Sequence, residues 1–502
     1  RSREVGRCGI GGSEDALILY NVVRMRRQCV SHFDKKKIHF IGIGGVGMSG
    51  IAHVAQEQSH SVSGSDLRES RYTNQLKDAG IRIFIGQRAE NIPAVDPDIV
   101  VVSTAIREDN PELKAAREAG IEIWHRAKML AALGVGKSTL AVAGTHGKTT
   151  SSSMLASLID GIGLDPTFLI GGIVRAYNSN AHSGKGEYYV VEADESDQSF
   201  IHLDPSAVLI TNIEADHLDH YEDLDEIYKL FSDFMTLVPE DGCCVVCGED
   251  EALVRVARST GRKIYTYGFG EAFDTTVSNY QTHGLATSFD ITLPDGSSYS
   301  CQIKQNPGRH NALNAAGVLT LMWAREFDVA AAVEALKDFA GVRRRFDRVG
   351  EAGGITIVDD YAHHPTEIAA TIEAAKSLDF NHVHVLFQPH RYSRVKLFTE
   401  VLRDEFGRAF DKADRVTFMD VYSAGEAPVP GVTGATFMQV VLDHEGHPEQ
   451  TSFVPHRMKV VPALLEVLEP GDLIITMGAG DVTAIGPELL AALKERELED
   501  RD

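Results

Sequence analysis

Between residues 37 and 123, short β-branched and apolar runs alternate with stretches whose apolar positions recur every three or four residues. The runs are KIHFIG, HSVSGSD, IRIFIG, DIVVVST and IEIW; MSGIAHVAQEQ and PELKAAREAG read as the helices between them. Strands and helices alternating at this spacing predict a parallel sheet joined by crossover helices. A second α/β series starts near Arg126 with RAKMLAAL and the strand LAVAG. It continues through EYYVVEAD, SAVLITNIEADH, the amphipathic LDEIYKLFSDFMTLV and KIYTYG. A hairpin, FDITLPDGSSYSCQIK, turns on Pro-Asp-Gly, and the long helix HNALNAAGVLTLMWA comes after it. GVRRRFDRVGEAGG reads as a linker, after which ITIVDDY, VHVLFQ, RVTFMDV and DLIITMGAG are the strands of a third unit.

The pattern predicts an α/β chain of three domains, each built on a largely parallel sheet. Their expected bounds are residues 36–123, 124–342 and 343–495, behind a poorly ordered extension over residues 1–35. A length of 502 residues agrees, being too great for one core and near three domains of ~150 residues. The extension carries the basic patch VVRMRRQC but no long apolar core with a cleavage site behind it, so a secretory signal is not expected. Nor is a membrane span, since no apolar run reaches about 18 residues.

Charge narrows the partners. Against 49 Lys and Arg stand 72 Asp and Glu, a net charge of −23, which repels nucleic-acid backbones but leaves small nucleotides possible through local donors. The six cysteines, at 8, 29, 243, 244, 247 and 301, give no disulfide framework. Cys244 and Cys247 form a C-x-x-C with no second pair to complete a zinc site, and GCCVVCG reads as a buried strand holding small thiols. This usage fits the reducing cytoplasm.

Two glycine loops carry the chemistry. Gly42, Gly44 and Gly47 fit G-x-G-x-x-G between a strand and a helix, with Asp66 nineteen residues after Gly47 at the end of the next strand. Glycines let backbone approach a diphosphate, the helix start supplies N–H donors, and the acid suits a ribose hydroxyl. The motif alone does not choose between a nicotinamide dinucleotide and another diphosphate, and Met48 behind it brings no redox group. The second loop, AVAGTHGKTT at 141–150, departs from G-x-x-x-x-G-K-[ST] because Val142 stands at the first glycine position. Gly144 and Gly147 remain, the N–H groups from Thr145 to Lys148 can cradle phosphates, Lys148 can neutralise them, and Thr149 can ligate Mg²⁺. VVEADESD places Glu192 and Asp194 at one strand end; TNIEADHLDH places Glu214, Asp216 and His217 at the next. Solvated loop acids account for part of this set, whereas Mg²⁺ binding best accounts for Glu192 and His217 at the ends of successive buried strands.

GTHGKTT, EADESD, NIEADHLDHY, GRHNALNA and DDYAHHPTE succeed one another in order over residues 144–367. Together they resemble the Mur ligases, ATP-dependent amide-forming enzymes of peptidoglycan synthesis. GIGGVGMSGIA and QPHRYSR narrow the likeness to members that join L-alanine to UDP-N-acetylmuramic acid. The resemblance covers about residues 37–490 and implies a Rossmann-like sugar-nucleotide domain, a P-loop ATPase-like central domain and a Rossmann-like amino-acid domain. It implies ATP and Mg²⁺ as cofactors, with no nucleic-acid or membrane partner.

Residue by residue, the resemblance implies that Gly42, Gly44, Gly45, Gly47, Met48 and Asp66 hold the UDP-sugar. Gly144, Thr145, His146, Gly147, Lys148, Thr149, Thr150, Asn311 and Arg345 would hold ATP, and Thr149, Glu192 and His217 the metal. Lys148, His363, Arg391 and Arg394 would be catalytic, the last three near the acceptor. His363 and His364 could instead cap the helix PTEIAATIEAAK. Some relatives carry a carbamylated lysine; Lys229 falls in that region and is not assigned the role. Three other functions stay open at this point: a dehydrogenase using the first loop, a nucleotide-gated binding module, and the related ligase that re-attaches recovered murein peptide.

Overall fold

The computed structural model describes residues 33, 35–195, 199–214 and 224–499. Most of the 1–35 extension, and His217, lie outside the described residues. The chain divides into two compact units, Arg1–Lys137 and Ser138–Asp502.

The first unit holds a five-stranded sheet, all parallel, in the spatial order Arg82–Ile85, Ser61–Asp66, Lys37–Ile41, Ile99–Val102, Glu122–His125. Its helices start where the chemistry allows. Ser70 and Thr73 form a reciprocal capping box, and Asn110 accepts from the N–H groups of Glu112 and Leu113 ahead of Pro111. The sequence pattern grouped RAKMLAAL with the second series. The structure packs its helix, Arg126–Ala132, on Ile99–Val102 and Glu122–His125 of the first sheet, where Met129 and Ala127 are buried. Apolar spacing marks a helix but carries no information about which sheet it covers.

The second unit contains two sheets. The larger has ten strands, and its parallel centre runs Ile264–Phe269, Cys243–Cys247, Ala207–Ile210, Ser138–Ala143, Tyr188–Glu192, Thr167–Val174. Thr275–His283 continues it in parallel, and Ala286–Thr292 and Ser298–Ile303 add antiparallel strands, with the tight turn at Leu293–Ser297 that Pro-Asp-Gly predicts. Ser179–His182 is antiparallel on the other edge. Cys243, Cys244 and Cys247 are buried free thiols, and burial pushes Cys244 up to about 12, so they fill the core rather than react.

The smaller sheet has six strands: Asp347–Ala352, Ile355–Asp360, Leu473–Met477, Val383–Phe387, Arg415–Phe418, Gln450–Phe453. All but the first are parallel. That first strand is half of the expected linker, folded back as a hairpin across Gly353 and Gly354, both at positive φ. An aromatic layer of Phe387, Phe406, Phe410, Phe418 and Phe437 fills one face of this sheet. Among the described residues no helix is long and apolar enough to cross a membrane.

Candidate active site

In the first unit, Gly42 turns at φ +78°, and its N–H donates to the Ser65 carbonyl at 2.8 Å. Gly44 N–H donates to Asp66 Oδ2 at 2.9 Å, and a Cβ on Gly44 would lie 2.8 Å from that oxygen. Asp66 therefore braces the glycine loop with one oxygen, a role its spacing did not reveal. Gly45 caps the helix Val46–Glu57 with no side-chain bond of its own, Gly47 lies within that helix, and Met48 is buried beneath it.

The second loop leaves the strand Ser138–Ala143, where Val142 is fully buried with Leu209 on one flank and Glu192 on the other. A strand residue in that register needs no glycine, which explains the altered motif. Gly144 then takes φ +130°, where a Cβ would meet Thr211 Oγ1 at 2.2 Å. Asn212 braces the next two residues. Its carbonyl accepts from Thr145 N–H and its Oδ1 from His146 N–H, both at 2.9 Å, while its Nδ2 donates to the His146 carbonyl. Two of the N–H groups expected to cradle phosphate are thus spent on the loop itself. The donors left for an anion are those at the start of the helix Lys148–Gly161, capped by Gly147. Thr150 lies in the first turn of that helix and lines the adjoining cavity.

Lys148 folds over the loop, donating to the carbonyls of Gly144 (2.6 Å) and Thr145 (3.1 Å) and pairing with Glu195 at 2.9 Å. Burial opposes its charge, but Glu195, Asp194 and Glu192 together raise its pKa. Glu195 itself is pushed up to about 7 by burial, in spite of the lysine. Thr149 Oγ1 donates to Glu192 Oε1 at 2.9 Å, and Gly171 N–H to Glu192 Oε2 at 2.6 Å. Hydroxyl and carboxylate oxygens gathered beside a lysine at a helix start are hard donors of the kind Mg²⁺ takes, so these residues fit the ion.

Across a cavity of about 160 Å³, the two sheets of this unit meet through their acids and histidines. His146 lies 3.3 Å from Glu367 and 3.4 Å from Glu214, and its ring packs on His364 at 4.7 Å. Burial works against the imidazolium, yet the two carboxylates raise His146 to about 9. Glu367, buried as well, is held well below the usual range by His146, His363 and Arg345. Thr366 Oγ1 donates to Glu214 at 2.6 Å. Arg345 pairs with Glu367 at 3.4 Å and lies over the Tyr361 ring. Asn311 lines the same cavity, donating to the carbonyls of Asn306 and Pro307. Buried Asp360, pushed up to about 6, accepts from the N–H groups of Phe346 and Ala362.

His364 occupies the N-cap position of the helix Pro365–Lys376 but makes no capping bond with its side chain. His363 is held by the Tyr361 carbonyl at 3.0 Å and by Glu367, which accepts from its N–H at 3.2 Å. Arg391 and Arg394 do not line that cavity, but the Phe398 ring that Arg394 covers packs edge-on against His364 at 6.0 Å. Arg391, at φ +65°, caps the helix Tyr392–Val401 and donates to Glu426 at 2.7 Å; Arg394 lies over the Phe398 ring. Lys229 forms an exposed pair with Asp233 one helical turn on.

The structure thus gathers His146, Gly147, Thr150, Asn311 and Arg345 round one cavity and sets Lys148, Thr149 and Glu192 beside it. Sequence pattern did not single out Glu195, Asn212 or Glu367. Glu195 and Glu367 lie inside the motifs EADESD and DDYAHHPTE, so a signal for them exists in the chain, but without a partner to interpret it.

Residues 37–137 match the catalytic domain of the Mur ligase family, residues 142–322 the Mur ligase middle domain, and residues 344–480 the glutamate ligase domain of Mur ligases. A UDP-N-acetylmuramate–L-alanine ligase of Anaeromyxobacter dehalogenans is 44% identical over 91% of this chain and 98% of its own. The chain belongs to the Mur ligase family. A ligase of the same description from Myxococcus xanthus is also 44% identical, over 92% of this chain and 96% of its own. Among solved structures, the UDP-N-acetylmuramate–alanine ligase MurC of Thermotoga maritima superposes with a TM-score of 0.76 at 29% identity, covering 92% of this chain and all of that one. A murein peptide ligase of Psychrobacter arcticus, 23% identical over 91% of this chain and 99% of that one, shares the fold with a TM-score of 0.68. Mur ligases are ATP-dependent.

Proposed function

We propose that this Mur ligase joins L-alanine to the carboxylate of UDP-N-acetylmuramic acid, converting ATP to ADP and phosphate. The phosphate loop carries the reading. Lys148, Thr149 and Glu192 stand beside a cavity walled by the nucleotide sheet and by the sheet that presents His363 and Glu367. In this reading residues 36–137 take the sugar nucleotide, 138–342 take ATP and 343–495 take the amino acid.

A carboxylate cannot be displaced by an amine, because oxide is too poor a leaving group. If a carboxylate oxygen first attacks the γ-phosphorus and the bond to ADP breaks, the resulting acyl phosphate carries phosphate as its leaving group. The amine, free of its extra proton, then attacks the acyl carbon, and the tetrahedral adduct expels phosphate to give the amide. The first step sets anion against anion, and Lys148 screens it by exchanging Glu195 for a phosphate oxygen. Thr149, Glu192 and His217 would hold Mg²⁺, which supplies further positive charge between carboxylate and triphosphate when bound. Asn311 and Arg345 would hold the nucleotide, while His363, Arg391 and Arg394 would face the acceptor. The acyl phosphate must be kept from water, so turnover should require every substrate.

Phosphate release with each substrate omitted in turn tests this. Release only when ATP, UDP-N-acetylmuramic acid and L-alanine are all present supports the proposal. Release without the sugar nucleotide or the amino acid would make the chain a nucleotide-gated module. Preference for a murein peptide over alanine would make it the recycling ligase.

A further inference from the structure

The candidate active site lies at the carboxyl ends of the parallel strands of the six-stranded sheet. At their amino ends lies a second polar cavity, of about 220 Å³, lined by His382, His384, Asp414, Arg415, Glu469 and Asp472 among others. His382 and His384 are two residues apart at the start of the strand Val383–Phe387, a spacing that turns both rings to one side. The neighbouring strand is parallel, and Leu473 N–H donates to the His382 carbonyl, so Asp472 stands directly beside them. His382 Nδ1 is 2.9 Å from Asp472 Oδ1, and His384 Nε2 is 2.9 Å from Asp472 Oδ2. One ligand atom from each of the three lies within 4.8 Å of the others.

We propose that His382, His384 and Asp472 form a site for a divalent transition cation of the zinc class, separate from the nucleotide chemistry. Two imidazoles and a carboxylate are the ligand types such ions select, with further positions open to water from the cavity. The spacing fits. Bonds of about 2.0–2.1 Å put two ligand atoms about 2.9 Å apart at a right angle and about 3.4 Å apart at the tetrahedral angle. The two contacts with Asp472, one to each of its oxygens, would open by up to about half an ångström, while the two ring nitrogens, within 4.8 Å of each other, would settle to the same spacing.

The set is also rigid on two sides. The side chains of Asp472 and His384 are 1% and 5% exposed, whereas that of His382 is 54% exposed and leaves an entry path. The Glu469 N–H also donates to Asp472 Oδ2 at 2.9 Å and fixes the carboxylate in place. Coordination through Nε2 moves the His384 ring proton to Nδ1. That atom is buried and has no hydrogen-bond partner among the described residues, so its N–H would be left unpaired, a cost that the bond to the cation must outweigh. Around the set, Arg415 opposes a cation, while Glu469 and Asp414, the latter shared with Lys376, favour it.

The test uses the full-length protein, stripped with a chelator and free of nucleotide. Titration with Co(II), followed by its visible ligand-field absorption, and with Zn(II), followed by calorimetry, should show an equivalent bound at micromolar affinity or tighter. Binding should also raise the thermal midpoint. His382→Ala, at the half-exposed position, should weaken that equivalent by roughly 100-fold or more while leaving the circular dichroism and ATP-dependent turnover unchanged. His382→Asn serves as a second variant should the first fail to fold. Wild-type protein that binds neither ion, or variants that bind both as tightly as wild type, would overturn the proposal. The trio would then be a buried carboxylate paired by two imidazoles and nothing more.

Discussion

His146 makes the stability of the second unit depend on pH. Its ring lies between Glu214 on the nucleotide sheet and Glu367 on the helix that comes after the first strands of the other sheet, so the imidazolium clasps the two sheets together. A rise from 6.5 to about 9 corresponds to about 3 kcal/mol in favour of the protonated ring. The side chain is only 12% exposed, so solvent screening removes little of this. The contact with Glu214 is an ion pair at 3.4 Å with no well-aligned hydrogen bond, so about 3 kcal/mol is an upper figure. Because the folded-state pKa is the higher one, the contribution is complete below about pH 6.5 and disappears as pH rises through about 9. His146→Gln removes the titrating group, so the variant lacks this pH-dependent contribution and its cost falls as pH rises through that window.

The two tryptophans provide the assay, since Trp124 lies in the first unit and Trp323 in the second. In a Trp124→Phe background, urea unfolding followed by fluorescence reports the unit that contains His146. The stability gap between the protein with His146 and its His146→Gln variant should shrink by 2–3 kcal/mol, roughly, between pH 6.5 and about 9. A gap that stays constant over that range would refute the clasp.

Lys148→Ala should abolish ATP-dependent turnover and leave UDP-sugar binding by calorimetry nearly intact. The fold should survive, because Glu195, already at about 7, can take up a proton once its cation is gone. Equal loss of both affinities would defeat the assignment of separate loops. Gly144→Ala puts a Cβ 2.2 Å from Thr211 Oγ1 at φ +130°, so ATP should no longer raise the thermal midpoint, and the midpoint itself should fall. Arg391→Ala should raise the KM for alanine roughly 30- to 150-fold, the equivalent of about 2–3 kcal/mol for a charge-assisted contact, with little change in the KM for ATP. Losses that are equal for all three substrates would move Arg391 to the phosphoryl-transfer centre.

The sequence by itself determined most of the elements and the two glycine loops. β-Branched runs at regular spacing marked the parallel strands, and the run from Gly144 to Lys148 marked a strand–loop–helix of the phosphate-loop kind, because both signals arise from neighbours in the chain. It was silent about the short edge strands Ser179–His182 and Gln450–Phe453, whose polar residues carry no period, and about which sheet the helix Arg126–Ala132 covers. The helix Lys148–Gly161 shows the same limit from inside. Its serines at 151, 152 and 153 are polar, yet all are buried where the helices Arg309–Ala324 and Val329–Leu336 close over it. Only the tertiary structure decided the electrostatics. Glu195 sits 47 residues from Lys148, and Glu367 more than two hundred from His146, so each shifted proton affinity depends on burial and on a charge that no local pattern contains. The pairing of His382 and His384 with Asp472, about ninety residues away, became visible for the same reason: the parallel register of two strands, and no spacing along the chain, brings them together.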